Sequence, residues 1–253
     1  MRLSSRAESF FVLISPTIVI IFWEIVVRIG YVEPLFFPPP TLVLATLIEL
    51  VKTGELQPHV FISLKRIFFG FLLGVIPGLI LGLIMGWSRS VRIFFDPLIS
   101  ATYPIPKIAL LPLIMLIFGI GEMSKIVLIA IGCFFVVLIN SMAGVMSINK
   151  IYFEVAENYG ASKYQIFKKI VLTGSLPMIF TGLRLALGLS LILVVAAEMV
   201  SANQGLGAMI WKAWETLRTE NLYVGIIIIA FLGLLSTSIL KRVERKLMPW
   251  GRT

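Results

Sequence analysis

"EVAENYGASKYQIFKKIVLTGSLP", residues 154–177, interrupts an otherwise apolar chain. From 149 to 169, six charged residues fall within 21 positions, and long uncharged runs lie on both sides. Residues 154–159 favour a helix, and Gly160 can take the left-handed conformation that ends one. Ser162, followed three residues later by Gln165, reads as a capping box that starts a second helix. Lys168 and Lys169 lie on that second helix, and Gly174 and Pro177 predict a further break beyond it. The stretch therefore reads as two short helices meeting at Gly160, with the small residues Ala156 and Ala161 at the corner. Glu154, near the start of the first helix, complements its dipole. The plain alternative is a solvated loop that only joins two spans.

The apolar background is a membrane signature. Hydrophobic residues make up 58% of the 253 and charged residues only 14%, with a mean hydropathy of +1.00. Soluble domains carry about 25% charged residues. Several runs exceed the roughly 20 apolar residues that cross a bilayer. The reading is an all-α polytopic protein with one transmembrane domain over 1–253 and no soluble domain. Six spans are predicted, at about 9–29, 62–87, 97–118, 126–148, 176–199 and 221–240. The third is interrupted by Lys107 and by Pro104, Pro106 and Pro112. The apolar N-terminal run lacks a following A-x-A site and reads as an uncleaved first span. Between the first two spans, residues 41–54 form a short amphipathic pattern, with Thr41 as N-cap and Gly54 as stop.

Charge distribution sets the orientation. With the N-terminus inside, the inner segments carry 13 Lys and Arg residues, among them Arg2, Arg6, Arg89, Arg92, Lys150 and Arg252, while the outer segments carry 4. By the positive-inside rule both termini and the 149–175 loop are cytoplasmic. Topology thus accounts for the net charge of +9 without a nucleic-acid partner. A single cysteine, Cys133, excludes an internal disulfide, and a single histidine, His59, excludes the usual His clusters of metal sites.

Charges inside spans are costly and face a bundle interior or a cavity. Glu24, Lys107, Arg184 and Glu198 fall there. Lys107 follows "YPIP", where broken backbone can line a cavity and a cation can attract an anion. A lysine snorkelling to the interface is the competing reading. Arg184 reads as a pathway residue or as the partner of an acid on a neighbouring span, and Glu198 as a rim residue. Lys65 and Arg66 sit at the outer edge of the second span, where snorkelling suffices. Gly70, Gly74, Gly78, Gly82 and Gly86 form one stripe at spacing four, which suits close helix packing.

With these features in place, a resemblance emerges. Residues 154–172 resemble the E-A-A loop of ABC-transporter permeases: Glu154, Val155 and Ala156, then Gly160, Ile170 and Leu172. Val155 replaces the motif's first alanine, and Thr173 stands where the motif has proline. "LFFPPPTLV", "YPIPKIALLPLIMLIFGIGEMSKI", "TGLRLALGLSLILVVAAEM" and "ERKLMPW" extend the resemblance over most of the chain, to the sulfonate/taurine/nitrate branch. It implies a type I importer permease fold in a bacterial inner membrane. It further implies a homodimer, a cytoplasmic ATPase dimer that holds ATP and Mg2+, and an extracytoplasmic substrate-binding protein. Glu154, Ala156, Glu157, Gly160 and Ala161 would then couple to the ATPase. Lys107, Arg184 and Glu198 would be the candidates for the pathway. The substrates implied are small anions such as aliphatic sulfonates, taurine, nitrate or bicarbonate; thiamine-pyrimidine precursors and riboflavin belong to related members. No phosphate-cradling Gly-x-x-x-x-Gly-Lys-Ser/Thr occurs, so the chain is not itself the ATPase. An integral-membrane enzyme would need convergent acids, histidines or a nucleophile. A secondary transporter or channel would show repeats or filter motifs.

Overall fold

The computed structural model describes the backbone of residues 5–249 and side chains from residue 14 onward. Arg2, Trp250 and Arg252, and the side chain of Arg6, lie outside the described residues. Eleven α-helices and no strand occur among those described. They are α1 (Ser5–Arg28), α2 (Pro40–Thr53), α3 (Leu56–Trp87), α4 (Arg89–Thr102), α5 (Leu111–Phe118) and α6 (Glu122–Met146). Then come α7 (Ile151–Asn158), α8 (Lys163–Ile166), α9 (Leu172–Ser201), α10 (Leu206–Glu215) and α11 (Thr219–Leu247).

Among the described residues, four helical segments are long and apolar enough to cross a membrane, Leu56–Trp87, Glu122–Met146, Lys163–Ser201 and Thr219–Leu247, or five with one bent pair, against the six expected. α1, 24 residues long, overlaps the expected first span up to Arg28. The expected third span is not one helix. Arg89–Thr102 and Lys107–Phe118 meet at 88° across a break. Pro104 and Pro106 cannot donate to a helical ladder, and each disfavours helical geometry in the residue before it.

The centre of the bundle is α3, α6 and α9. The glycine stripe of α3 lies directly on α6. A methyl group on Gly74 would overlap the carbonyl oxygen of Ala130, and one on Gly78 would come within 2.6 Å of the Phe134 oxygen. At the ends of the stripe, Gly70 faces Ile129 and Gly86 faces Val145. Residue numbers rise together on the two helices, so α3 and α6 run parallel. α9 runs antiparallel to α6, since Gly132 meets Leu193 and Gly144 meets Met178. Ile129, Cys133, Val137, Ala186 and Val194 fill the resulting core.

α2 begins one residue before the expected Thr41, with Pro39 at the N-cap and Pro40 in the first turn; Gly54 ends it at φ 81°. Thr41 instead ties α2 to α1. Its N–H donates to Glu24 Oε2 at 3.0 Å and its hydroxyl to Oε1 at 2.8 Å, while Arg28 Nε donates to Oε1 at 2.6 Å.

Candidate functional site

Two constructions stand at opposite ends of the bundle. The first is the polar corner at residues 151–171. α7 ends in a Schellman motif: Ala161 N–H donates to the Ala156 carbonyl and Gly160 N–H to that of Glu157, both at 2.9 Å. Gly160 has φ 73°, so the reversal requires a residue without a Cβ penalty. The capping box expected of Ser162 and Gln165 is present in both directions, at 2.8 and 3.3 Å. Two carbonyl groups at one helix end and two N–H groups at the next start are thus satisfied within ten residues, 156–165. Phe153 and Phe167 pack against the Leu83, Val145, Val171 and Ile179 cluster, which holds the corner to the bundle. Phe167 also stacks on Trp87 at 5.1 Å.

Outward, α7 presents an unusual face. Ile151, Tyr152, Val155 and Tyr159 are 49–88% exposed and recur at helical spacing. Glu154 and Glu157 are exposed beside them, and Ala156 and Ala161 are half-buried. Beyond the corner the structure differs from the sequence reading. Gly174 and Pro177 do not break the chain: helix runs from Lys163 to Ser201. A wide turn at Phe167–Val171 takes up the irregularity, with Leu172 N–H reaching back to the Phe167 carbonyl. The Lys168 carbonyl accepts from the Thr173 hydroxyl at 3.3 Å. The chain therefore enters the fifth span as one continuous rod.

The second construction is a charge cluster where α3 and α6 begin and α9 ends. Glu198 is fully buried, not a rim residue. It accepts from Ser63 Oγ at 2.7 and 2.9 Å, from Arg66 Nη1 at 2.7 Å and from the Gly207 N–H at 2.8 Å. Arg66 is likewise buried, not snorkelling. Its remaining donors go to Glu122, at 2.8 Å from Nε and 2.5 Å from Nη2, and to the Gln204 carbonyl at 2.7 Å. Both members of the innermost pair are desolvated, which is tolerable only because nearly every donor and acceptor is satisfied. Gly205 and Gly207 make this possible. A Cβ on either would strike Glu198, and Gly205 has φ 131°. Lys125, also buried, donates to the Gly121 carbonyl at 3.0 Å. A cavity of about 360 Å³ opens beside the cluster, lined by Arg66, Glu122, Lys125 and residues 201–204.

Lys107 lies away from this cluster. Its ammonium donates to the Thr102 and Tyr103 carbonyls at 3.0 Å, capping the end of α4, and sits 4.2 Å from the Phe135 ring centre. Arg184 Nη2 pairs with Glu244 of α11 at 2.6 Å, the neighbouring-span partner anticipated for it. All three charges expected along the pathway therefore have protein partners, and only Glu198 belongs to the charge cluster. Sequence reading missed Arg66, Ser63, Glu122 and Lys125 as one unit. No local spacing links residues 63, 122 and 198, and snorkelling accounts for an arginine near a span end equally well.

Comparison with known proteins identifies the family and the fold. The family described as the binding-protein-dependent transport system inner membrane component matches residues 78–249. SsuC of Bacillus subtilis, a permease protein named for aliphatic sulfonates transport, is 37% identical over 238 residues, covering 94% of this chain and 86% of its own. The taurine transport system permease protein TauC of Escherichia coli is 38% identical over 233 residues, covering 90% and 85%. Among solved structures, the inward-facing MetNI methionine ABC transporter superposes with a TM-score of 0.61 at 20% identity, covering 75% of this chain and 94% of that one. At that identity the match speaks for the fold, which is the type I importer permease fold. The chain is an inner-membrane, multi-pass permease of an ABC importer, the transmembrane and not the ATP-hydrolysing component, and belongs to the binding-protein-dependent transport system inner membrane component family.

Proposed function

We propose that this permease moves a small oxyanion, an aliphatic sulfonate or taurine, across the inner membrane as a homodimer. An ATPase dimer docks on α7 from the cytoplasm, and ATP and Mg2+ reside there. An extracytoplasmic binding protein delivers the solute to the opposite face, and both termini are cytoplasmic. The observation that carries the coupling role is the exposed stripe Ile151, Tyr152, Val155 and Tyr159 on a helix locked at both ends of its corner. Apolar side chains on a polar loop outside the membrane need a partner surface. The Schellman turn and the continuous helix from Lys163 to Ser201 give that surface a stiff connection to the bundle. Motor closure needs such a rod, since a floppy loop would absorb the displacement. Glu154 and Glu157 flank the stripe and suit basic residues on the motor. The substrate class rests on the names of SsuC and TauC. A second reading, a pyrimidine cargo, draws on ThiX of Halalkalibacterium halodurans, a formylaminopyrimidine transport permease protein 32% identical over 233 residues.

Gly160→Val tests the coupling. In proteoliposomes holding the permease, its ATPase and its binding protein, the variant is expected to insert normally and to lose substrate-stimulated ATP hydrolysis. Wild-type stimulation in a normally assembled variant would reject the role. Uptake of labelled taurine and labelled formylaminopyrimidine in the same vesicles separates the two cargo readings.

A further inference from the structure

We propose that the fork of Arg66, together with Lys125, is an oxyanion-binding subsite of the permease itself, and that Glu122 occupies it in the absence of solute. The inference rests on the oxyanion-importer reading above and locates that chemistry on particular residues.

The charges of the cluster are unequal in burial. Glu198 is inaccessible and holds three kinds of donor, so it permanently balances Arg66. Glu122 is different: its side chain is 46% exposed, and its carboxylate takes the Nε/Nη2 edge of the guanidinium side-on. That edge presents two parallel N–H donors, the geometry that matches carboxylate, sulfonate and phosphate oxygens. A half-exposed carboxylate leaves at less cost than a buried one. An incoming oxyanion taking its place leaves no arginine donor unpaired.

Lys125 gives the site its sign. The residue is only 2% exposed, yet its ammonium, with three donors, has one acceptor, the Gly121 carbonyl. It lines the same 360 Å³ cavity as Arg66 and Glu122. With Glu122 swung outward, Arg66 is balanced by Glu198 and Lys125 is balanced by nothing. The cavity then carries one net positive charge, which matches the single negative charge of a sulfonate group. The start of the 25-residue helix α6 lies at this point and adds its positive end. Glu122 is also the first residue of α6, so its release breaks the ion pair that joins the start of α6 to α3.

The test uses the full permease in nanodiscs with labelled taurine as probe and methanesulfonate as competitor. Wild type is expected to bind weakly. Glu122→Gln removes the competing carboxylate and should bind about tenfold or more tightly, the scale of one charge-assisted hydrogen bond. Lys125→Gln should lose binding while retaining the size-exclusion profile of wild type. Equal affinity of wild type and Glu122→Gln, or undiminished binding by Lys125→Gln, overturns the assignment. An anionic headgroup has the same oxyanion chemistry as the solute. Phosphatidylcholine nanodiscs are therefore compared with nanodiscs containing phosphatidylglycerol, and loss of taurine binding in the latter assigns the site to lipid and overturns it for solute. Uptake in the full assembly keeps the two levels apart. Taurine uptake unaltered by either substitution refutes the subsite alone, whereas pyrimidine uptake without taurine uptake refutes the sulfonate reading beneath it.

Discussion

Gly74→Ala, measured against Gly188→Ala, isolates the packing energy of the parallel α3–α6 pair. Both glycines lie inside transmembrane helices, so both substitutions gain the same helix propensity, about 1 kcal/mol. Their surroundings are opposite. A Cβ at Gly188 meets nothing within 4 Å. At Gly74 it overlaps the Ala130 carbonyl oxygen and comes within 3.0 Å of that residue's C and Cα atoms. Those are backbone atoms of a helix, so no rotamer change relieves the overlap. Relief requires the two helices to separate by about 1 Å, and a gap of that size forfeits a quarter to a half of each neighbouring dispersion contact. Overpacking of this kind costs about 1–3 kcal/mol. Because the propensity gain is common to both, the difference between the variants is the packing cost itself. Gly188→Ala should match or exceed wild-type stability and Gly74→Ala should fall about 1–3 kcal/mol below it. Thermal unfolding of detergent-solubilised protein, followed by loss of the monodisperse size-exclusion peak, reads the order. Equal midpoints for the two variants would show that the α3–α6 seam is not the close contact described.

Other consequences follow from the charge pairs. Glu198→Ala leaves Arg66 short of one partner and leaves the Ser63 O–H and the Gly207 N–H without their acceptor; it should destabilise by about 3–5 kcal/mol, whereas the joint replacement Arg66→Met with Glu198→Met should recover part of the folded yield. If the double variant is no better than the single one, the buried pair is not the source of the loss. Arg184 and Glu244 are 36% and 23% exposed in their side chains, so a double-mutant cycle should return a coupling near or below about 1 kcal/mol. A coupling several times larger would place that pair in a far drier setting than its exposure implies.

The two ends of the molecule were unequally legible in the sequence. The polar corner at 151–171 was almost fully written there, because caps are local. Gly160, Ser162 and Gln165 act on backbone groups within five residues of themselves, so spacing alone specifies the Schellman turn and the capping box. The glycine stripe was legible for a similar reason: spacing four puts Gly70 to Gly86 on one helix face whatever covers it. Local signals also misled. Gly174 and Pro177 read as a break, yet the apolar face of α9 packed on α6 overrides them, and the wide turn before it absorbs the misfit. Apolar runs located the long helices and the Lys and Arg count proposed their sidedness, since membrane insertion responds to bulk hydropathy and to Lys and Arg near span ends. What the sequence by itself determined is therefore the class of protein, the long apolar helices α3, α6, α9 and α11, and the shape of the corner at Gly160. Tertiary structure alone decided which helix the glycines meet, that the third expected span folds into a bent pair, and that Ser63, Arg66, Glu122 and Glu198 form one cluster. Pairing across 56 to 135 residues is set by how three helices align, and a desolvated arginine becomes tolerable only when that alignment brings its acids within reach.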